Sequence, residues 1–599
     1  MVRRILQEVK EYKAASIATP CFVIIEVIME MLIPYLMASI IDKGVEAGDM
    51  SHIIKVGMLM ILIALVGLFG GIMGGVYGAK ASTGFAKNLR KAMFENIQTY
   101  SFSNIDKFST AGLVTRLTTD VNTLQMGYQM CLRMMMRAPW SMIIALVMAF
   151  IISPQIAAIY LCAVAFLAVV LFFIIRRAMG YFKKAFPKYD ELNESVQENV
   201  SAIRVVKAFV REDEEISKFK KASDAIYTIF SKAEGTTVYQ GPVMMLTIYS
   251  CILLISWVGA KLIVVGSLTT GELMSLLAYC MNILISLMIF SMMFIMISMG
   301  SASIERIYDV LTEDSAIKNP ENPVFEVKNG DIEFKNVSFA YSKDAEEDVL
   351  KNINLKINSG ETIGILGSTG SAKTSLVNLI SRLYDVTNGS LFVGGINVKD
   401  YDIETLRNKV SVVLQANTLF SGSIYDNLRW GKLDATDEEC ARAAKLACAD
   451  EFIERMPDGY NTHIEQGGNN VSGGQKQRLC IARALLKDPK VLILDDSTSA
   501  VDTATDAKIR KAFREEIPGT TKIIIAQRIS SIRDSDRIIV MEDGEINGIG
   551  THEELLVSND IYREVYESQT QGGGDFDENK INPDSAEKSL NVNTGKEEM

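Results

Sequence analysis

The sequence predicts two joined folds: an α-helical transmembrane domain of six spans, followed by an α/β P-loop domain. Three observations predict this. First, hydrophobic residues make up 48% of the 599 residues and mean hydropathy is +0.17, yet 22% of the residues are charged. That mixture calls for an apolar membrane part joined to a soluble part, in a chain too long for one core. Second, the long apolar stretches all fall before residue 300. Third, from about residue 331 short strands alternate with helices, and "ETIGILGSTGSAKTSLVNLISRLYD" reads as strand, Gly-rich turn and helix. The boundaries expected are a transmembrane domain over 1–315, a linker over 316–330, the soluble domain over 331–570 and an acidic tail over 571–599. The tail, "GGGDFDENKINPDSAEKS…", is polar enough to be expected disordered.

The apolar stretches lie near 15–41, 53–78, 138–153, 155–175, 242–265 and 273–299. Most reach the ~20 residues that a helix needs to cross a bilayer. The third is short and is completed by the Met-rich stretch before it. The first is no signal peptide: it is long, carries Glu26 and Glu30, and lacks a small-residue cleavage site. Arg3, Arg4, Lys10 and Lys13 precede the first span, six Lys and Arg between Lys80 and Arg116 separate the second from the third, and Arg176, Arg177, Lys183 and Lys184 follow the fourth. Basic residues stay on the cytoplasmic side, so a multi-pass protein of the cell membrane with both termini cytoplasmic is expected. The two inside loops, about 60 residues each, have helical periodicity and are expected to extend the helices beyond the bilayer. The formal charge of −11 argues against a nucleic-acid partner. The eight cysteines are scattered and form no zinc or disulfide framework.

Within the spans three patterns stand out. Gly67, Gly71, Gly75 and Gly70, Gly74, Gly78 form two interleaved four-residue ladders, a spacing that lets helices approach closely. Met281, Met288, Met292, Met296 and Met299 fall on one side of the sixth span. They fill the core or face lipid, or they line an adaptable cavity for apolar cargo. Glu26 and Glu30, one turn apart, either serve that substrate cavity or snorkel and bond between helices.

In the soluble half, Gly367, Lys373 and Thr374 match the template G-x-x-x-x-G-K-[ST], with Ala372 in place of the second glycine. Backbone N–H groups over Gly367, Ser368, Thr369, Gly370, Ser371 and Ala372, with Ser375 in the new helix, would cradle the phosphates of ATP. Lys373 would reach the β- and γ-phosphates, and Thr374 would ligate Mg²⁺. If position 372 needs a left-handed backbone, Ala costs about 1–2 kcal/mol there; if it lies in the helix, Ala costs nothing. "VLILDD" is a buried parallel strand, and Asp495 at its end is the second Mg²⁺ anchor. Ser472, Gly473, Gly474 and Gln475 open another helix, a second anion-ready N-terminus. One domain has no need of two γ-phosphate sites, so this one is read as serving a nucleotide held by another chain.

Over residues 1 to about 570 the chain resembles a half-transporter of the ATP-binding cassette (ABC) exporter family, on its P-loop, "VSGGQ" and "LILDDSTSAVD" in order after six spans. The resemblance implies further roles. Tyr341 would stack on adenine, and Gln415 would sense Mg²⁺ and the membrane helices. Glu465 would contact the cytoplasmic helix ends, and Ser499, Ala500, Val501 and Asp502 would communicate across a dimer. The stretches near 104–112 and 205–213 would be the coupling helices.

Two positions depart from the family. Position 496 is normally Glu, the base that polarises the attacking water; Asp496 is a carboxylate of similar pKa but one methylene shorter. A misplacement of ~1 Å can cost ~10²-fold in rate. Position 527 is normally a histidine facing the γ-phosphate; Gln527 hydrogen-bonds but carries no proton at neutral pH. Both changes spare ATP binding and weaken hydrolysis, unless they are tolerated drifts in an active homodimer. The resulting expectation is the degenerate half of a heterodimeric, bacterial multidrug-type exporter. Its partner would be a second, non-identical half-transporter, its setting the lipid bilayer, and its cargo a small apolar or amphiphilic compound. The alternatives are a homodimeric lipid or peptide translocase and an ATP-gated channel or regulatory subunit.

Overall fold

A computed structural model of the chain describes residues 1–342, 345–496 and 500–571. The expected tail from residue 572 onward and Ser499 lie outside the described residues, as do the side chains of several residues near Met299. The chain divides into two compact units: 1–99 with 108–314, and 100–107 with the chain from Ser315 onward.

The first unit is all helical. Its main elements are α1 (Lys13–Ser39), α2 (Met50–Gln98), α3 (Phe102–Phe108, which mostly folds with the second unit), α4 (Val121–Ile152), α5 (Pro154–Ser201), α6 (Ile203–Ala208), α7 (Glu212–Thr237), α8 (Gln240–Val264) and α9 (Thr270–Thr312). Among the described residues six helices are long and apolar enough to cross a membrane, and several run far past the apolar stretch.

The two glycine ladders have different neighbours. Gly70, Gly74 and Gly78 are buried against α1: a Cβ on Gly70 would sit 3.1 Å from the Phe22 carbonyl oxygen. Gly71 instead faces the Glu26 carboxylate at 3.2 Å, and Gly75 faces Arg133. Gly70 and Gly74 admit the backbone of α1, whereas Gly71, Gly75 and Gly78 leave room for charged side chains.

Several buried polar groups inside this unit are satisfied by hydrogen bonds, as an apolar surrounding favours, while Ser291 Oγ is buried without a partner among the described residues. Tyr160 donates to the Leu276 carbonyl at 2.7 Å, and Tyr279 to that of Met31 at 2.7 Å. Buried Asp120, at the base of α4, accepts from Arg306 at 2.7 Å and Ser303 at 2.8 Å, tying α4 to the end of α9.

The second unit is built on two larger sheets, with a small antiparallel pair between Gly422–Ser423 and His463–Ile464 beside them among the described residues. Its strands are β1 (Ile332–Phe339), β2 (Leu350–Ile357), β3 (Thr362–Gly367), β4 (Asn388–Val393), β5 (Ile396–Asn397), β6 (Val410–Val413), β7 (Val491–Asp495), β8 (Thr521–Ile525), β9 (Arg537–Glu542) and β10 (Glu545–Gly550). One sheet has the order β2-β1-β4-β5 and is antiparallel; the other has the order β10-β9-β3-β8-β7-β6, parallel except for β10. All five residues of β7 are buried, which explains its unbroken apolar run: a parallel strand is covered on both faces.

Residues 100–107 fold with this second unit. Asn104 accepts from the Ala316 N–H at 3.0 Å, and Asp106 accepts from the Tyr384 hydroxyl at 2.7 Å. The Phe102 ring meets that of Tyr384 edge-on at 6.0 Å.

Candidate functional site

The phosphate loop runs between β3 and α10 (Lys373–Ile380). Gly367 is needed for space, since a Cβ there would lie 2.4 Å from the Met541 carbonyl oxygen. Ser368, Thr369 and Gly370 are exposed at the loop's crown, and Ser371 is buried beneath it. Ala372, at the helix N-cap, has φ +67° and ψ +22°, a left-handed backbone. Of the two possibilities left open by the sequence, this is the costly one, about 1–2 kcal/mol. Ala372→Gly should therefore raise the thermal midpoint of the chain by a degree or two, because relief of strain exceeds the ~0.4–1 kcal/mol of added unfolded-chain entropy. Ala372→Val should lower it. Differential scanning fluorimetry checks both.

Lys373 reaches back across the loop. Its Nζ donates to the carbonyls of Gly367 at 2.8 Å and Ser368 at 2.7 Å, and to Ser371 Oγ at 3.2 Å. Burial pushes its pKa down, against the pull of Asp495 and Asp496. The ammonium thus lies inside the cradle where phosphate charge would settle.

Thr374 Oγ1 and Asp495 Oδ1 are 3.2 Å apart, the first at the start of α10 and the second at the buried end of β7. Among the described residues no group of three His, Cys, Asp or Glu side chains could hold a metal. This oxygen pair suits Mg²⁺, which keeps waters and takes further ligands from substrate phosphates. Gln415 is exposed in the loop after β6.

The two departing positions touch each other. Gln527 Nε2 donates to Asp496 Oδ2 at 2.9 Å. Asp496 itself has φ +48°, a region where Asp is tolerated better than longer side chains, and its N–H donates to the Ile525 carbonyl at 3.0 Å. Burial pushes the Asp496 carboxyl above the usual range, opposed by the Gln527 hydrogen bond and by Lys373 and Arg528. Burial raises Asp495 too, opposed chiefly by the bond from Thr374. A base must be deprotonated, so a raised pKa moves the acid limb of any turnover at this site to higher pH. A pH–rate profile of turnover at this site should show that limb above the ordinary carboxylate range near 4.

Tyr341 is 48% exposed, so one face of its ring is open to a base. Its hydroxyl is 2.8 Å from Ser375 Oγ in α10, and its ring meets Tyr384 at 90° and 5.1 Å. Tyr384 is a contributor that sequence reasoning missed, signalled only by a tyrosine just beyond the P-loop helix; its partner Asp106 falls in the 104–112 stretch expected as a coupling helix.

Ser472 caps α11 (Gly473–Leu485) in a reciprocal box with Gln475: the Gln475 N–H donates to Ser472 Oγ at 3.3 Å, and the Ser472 N–H to Gln475 Oε1 at 2.9 Å. Gly474 is required within the chain, since a Cβ would lie 2.8 Å from the Ala500 carbonyl oxygen; at Gly473 a Cβ would meet only Ala500 Cβ at 3.5 Å. Among the described residues no hydrogen bond joins Ser472, Gly473, Gly474 or Gln475 to this chain's own phosphate loop. Ala500 N–H donates to Gln477 at 3.2 Å, Val501 is buried, and Asp502 caps α12 (Thr503–Glu516) by accepting from Thr505 at 2.9 Å.

In the membrane unit Glu26 and Glu30 meet on one arginine. Arg137 in α4 donates through Nη1 to Glu26 at 2.6 Å and through Nη2 to Glu30 at 2.6 Å. Sequence reasoning missed this clamp, although "CLRMMMRAPW" carries both Arg133 and Arg137. Met288, Met292 and Met296 are exposed on α9 and do not line the cavity that holds the glutamates.

The matches to known proteins follow this geometry. The profile of the ABC transporter transmembrane region matches residues 17–301, and that of the ABC transporter matches 350–499. An uncharacterized ABC transporter ATP-binding protein of Bacillus subtilis (strain 168), YfiB, is 35% identical over 568 residues, 95% of this chain and 98% of that protein. An ATP-dependent lipid A-core flippase of Desulfotalea psychrophila is 31% identical over 575 residues, 95% of this chain and 99% of that protein. A solved bacterial Atm1-family ABC exporter with ATP bound shares the fold, with a TM-score of 0.81, 22% identity, and coverage of 93% of this chain and 99% of that one. The chain therefore belongs to the ABC transporter family, as an exporter-type chain whose membrane helices and ATPase domain are fused so that ATP hydrolysis drives transport.

Proposed function

We propose that this chain is the hydrolysis-impaired half of a heterodimeric exporter of apolar or amphiphilic compounds, set in the cell membrane with its cassettes and termini in the cytoplasm. The hydrogen bond from Gln527 to Asp496 carries the reading. The short carboxylate is held by the carboxamide that replaces a histidine, so the two departures form one unit rather than separate drifts. ATP and Mg²⁺ would bind at Lys373, Thr374 and Asp495 and turn over rarely. Ser472 and Gly473 would complete the competent site of a different chain. ATP binding would close the cassettes, and hydrolysis at the partner's site would reset them.

The test is to purify the tagged chain from its native membrane and identify what comes with it. A second half-transporter with a glutamate and histidine at the two positions is the expected result. A steady ATPase rate from this chain alone, with no second transporter present, would overturn the reading in favour of a homodimer.

A further inference from the structure

The cavity of about 430 Å³ between α1, α2 and α4 holds four charged groups: Glu26, Glu30, Arg133 and Arg137. Their arrangement is uneven. Arg137 is shared by both glutamates, so that triad carries a net negative charge. Arg133, one turn earlier on α4, makes no hydrogen bond or ion pair among the described residues. The cavity as a whole is neutral, but its two poles are separated.

The glycine ladder of α2 fixes that separation. The Glu26 carboxylate lies over Gly71, while Arg133 lies over Gly75 and Gly78, at 4.0 and 3.3 Å from their virtual Cβ positions. One turn of helix, about 5.4 Å, therefore sets the scale between the negative and positive poles. Apolar side chains, among them Met29, Ile33, Ile63 and Ile72, form the remaining wall.

Depth adds a second constraint. About 29 Å of helix separates Arg133 from Ile152, the full thickness of a hydrocarbon core. Arg133 is then at the edge of the span nearer residues 100–107 in sequence, where lipid head groups lie. Arg137 is about 6 Å deeper.

We propose that this cavity binds the head group of a zwitterionic phospholipid-like amphiphile, its phosphate on Arg133 and its ammonium against Glu30 and Glu26. The inference rests on the amphiphile-export reading above and names the cargo class. Net charge decides it. A purely cationic occupant would leave the cavity net positive, and a purely anionic one net negative, and the end that holds Arg137 lies about 6 Å below the head groups, where unbalanced charge is costly. A zwitterion keeps the site neutral and satisfies both poles. Its chain follows the apolar wall. This differs from the cationic cargo that two unpaired glutamates would select, because Arg137 already occupies them.

Equilibrium competition against labelled lysophosphatidylethanolamine tests it, on the full chain in the complex in which it is isolated. The competitors are lysophosphatidylglycerol, an alkyltrimethylammonium of equal chain length, and inorganic phosphate. The zwitterion should bind at least ~10-fold more tightly than either singly charged amphiphile, and inorganic phosphate should not compete. Arg133→Gln should weaken zwitterion binding by ~10-fold and reverse the preference toward the cation. Glu30→Gln should reverse it toward the anion, and Arg133→Lys should retain the wild-type order. These ~10-fold changes are the size of one buried charge-assisted contact. Equal affinities for all three amphiphiles, an unchanged order in Arg133→Gln, or competition by inorganic phosphate alone would each overturn the inference. Thermal midpoints of the variants exclude misfolding, and the reversals in opposite directions cannot come from a general loss of structure. ATP-driven uptake into inverted vesicles separates the two readings. Selective binding without ATP-driven movement of the zwitterion would sink the export reading and leave the site. ATP-driven export of another amphiphile with flat binding would do the opposite.

Discussion

Replacing Gly473 with leucine in the two-chain complex should lower ATP turnover by ~10²–10³-fold, while Asp496→Asn should leave it nearly unchanged. The contrast follows from where each residue acts. Gly473 opens α11, and a Cβ there would make only ordinary contact with Ala500. A larger side chain therefore disturbs little within this chain and acts on whatever closes over the helix N-terminus. On the proposed reading, oriented donors at that terminus would stabilise charge on the transferring phosphoryl group, usually the largest catalytic term. Ser472→Ala should act in the same direction, with an added loss of about 1 kcal/mol from the cap that its hydroxyl provides. Gly474 is a poor probe, because its Cβ would collide with the Ala500 carbonyl and the fold itself would suffer. On the proposed reading Asp496 belongs to the impaired site, so its amide variant should remove little. Both variants are measured in one preparation, at saturating ATP. Equal damage from Asp496→Asn would show that this chain hydrolyses its own ATP.

The second large effect is a gain. With the partner's base removed, Asp496→Glu combined with Gln527→His should raise turnover above the crippled background by up to ~10²-fold. Neither single change should do so alone. A glutamate at 496 gains reach but enters a left-handed backbone position and still meets the Gln527 carboxamide. A histidine at 527 restores a titratable group but leaves the short carboxylate behind. Residues in direct contact are expected to be non-additive, so the double variant should exceed the sum of the singles. Single-turnover measurement with radiolabelled ATP reads this directly. No gain in the double variant would mean that other features limit the site.

Much of the fold was legible in the sequence, because its signals are local. Apolar length marks a span, four-residue glycine spacing marks one helix face, and the P-loop is a contiguous strand-turn-helix. The site was legible as a list of residues but not as a set of pairs. Arg137 meets Glu26 and Glu30 across 111 and 107 residues of chain, and Gln527 meets Asp496 across 31. No periodicity reports such pairings, since they depend on how separate helices and strands dock. The sequence posed the choice at Ala372, but only a backbone angle decides it. Residues 100–107 are the plainest case. By position they belong between two membrane helices, yet their hydrogen bonds go to Ala316 and Tyr384.

That last contact has a thermodynamic consequence. Asp106, Tyr384, Tyr341 and Ser375 form an unbroken series of side chains from the connector between α2 and α4 to the helix that follows the phosphate loop. If ATP favours one arrangement of this series, then that arrangement favours ATP by the same factor, because coupling free energies between binding events are reciprocal. Cargo that shifts α2 or α4 would then alter how tightly nucleotide is held, without any cargo reaching the cassette. On that condition the affinity for ATP would become a reading of what the membrane half contains, and an empty transporter and a loaded one would compete for nucleotide on unequal terms.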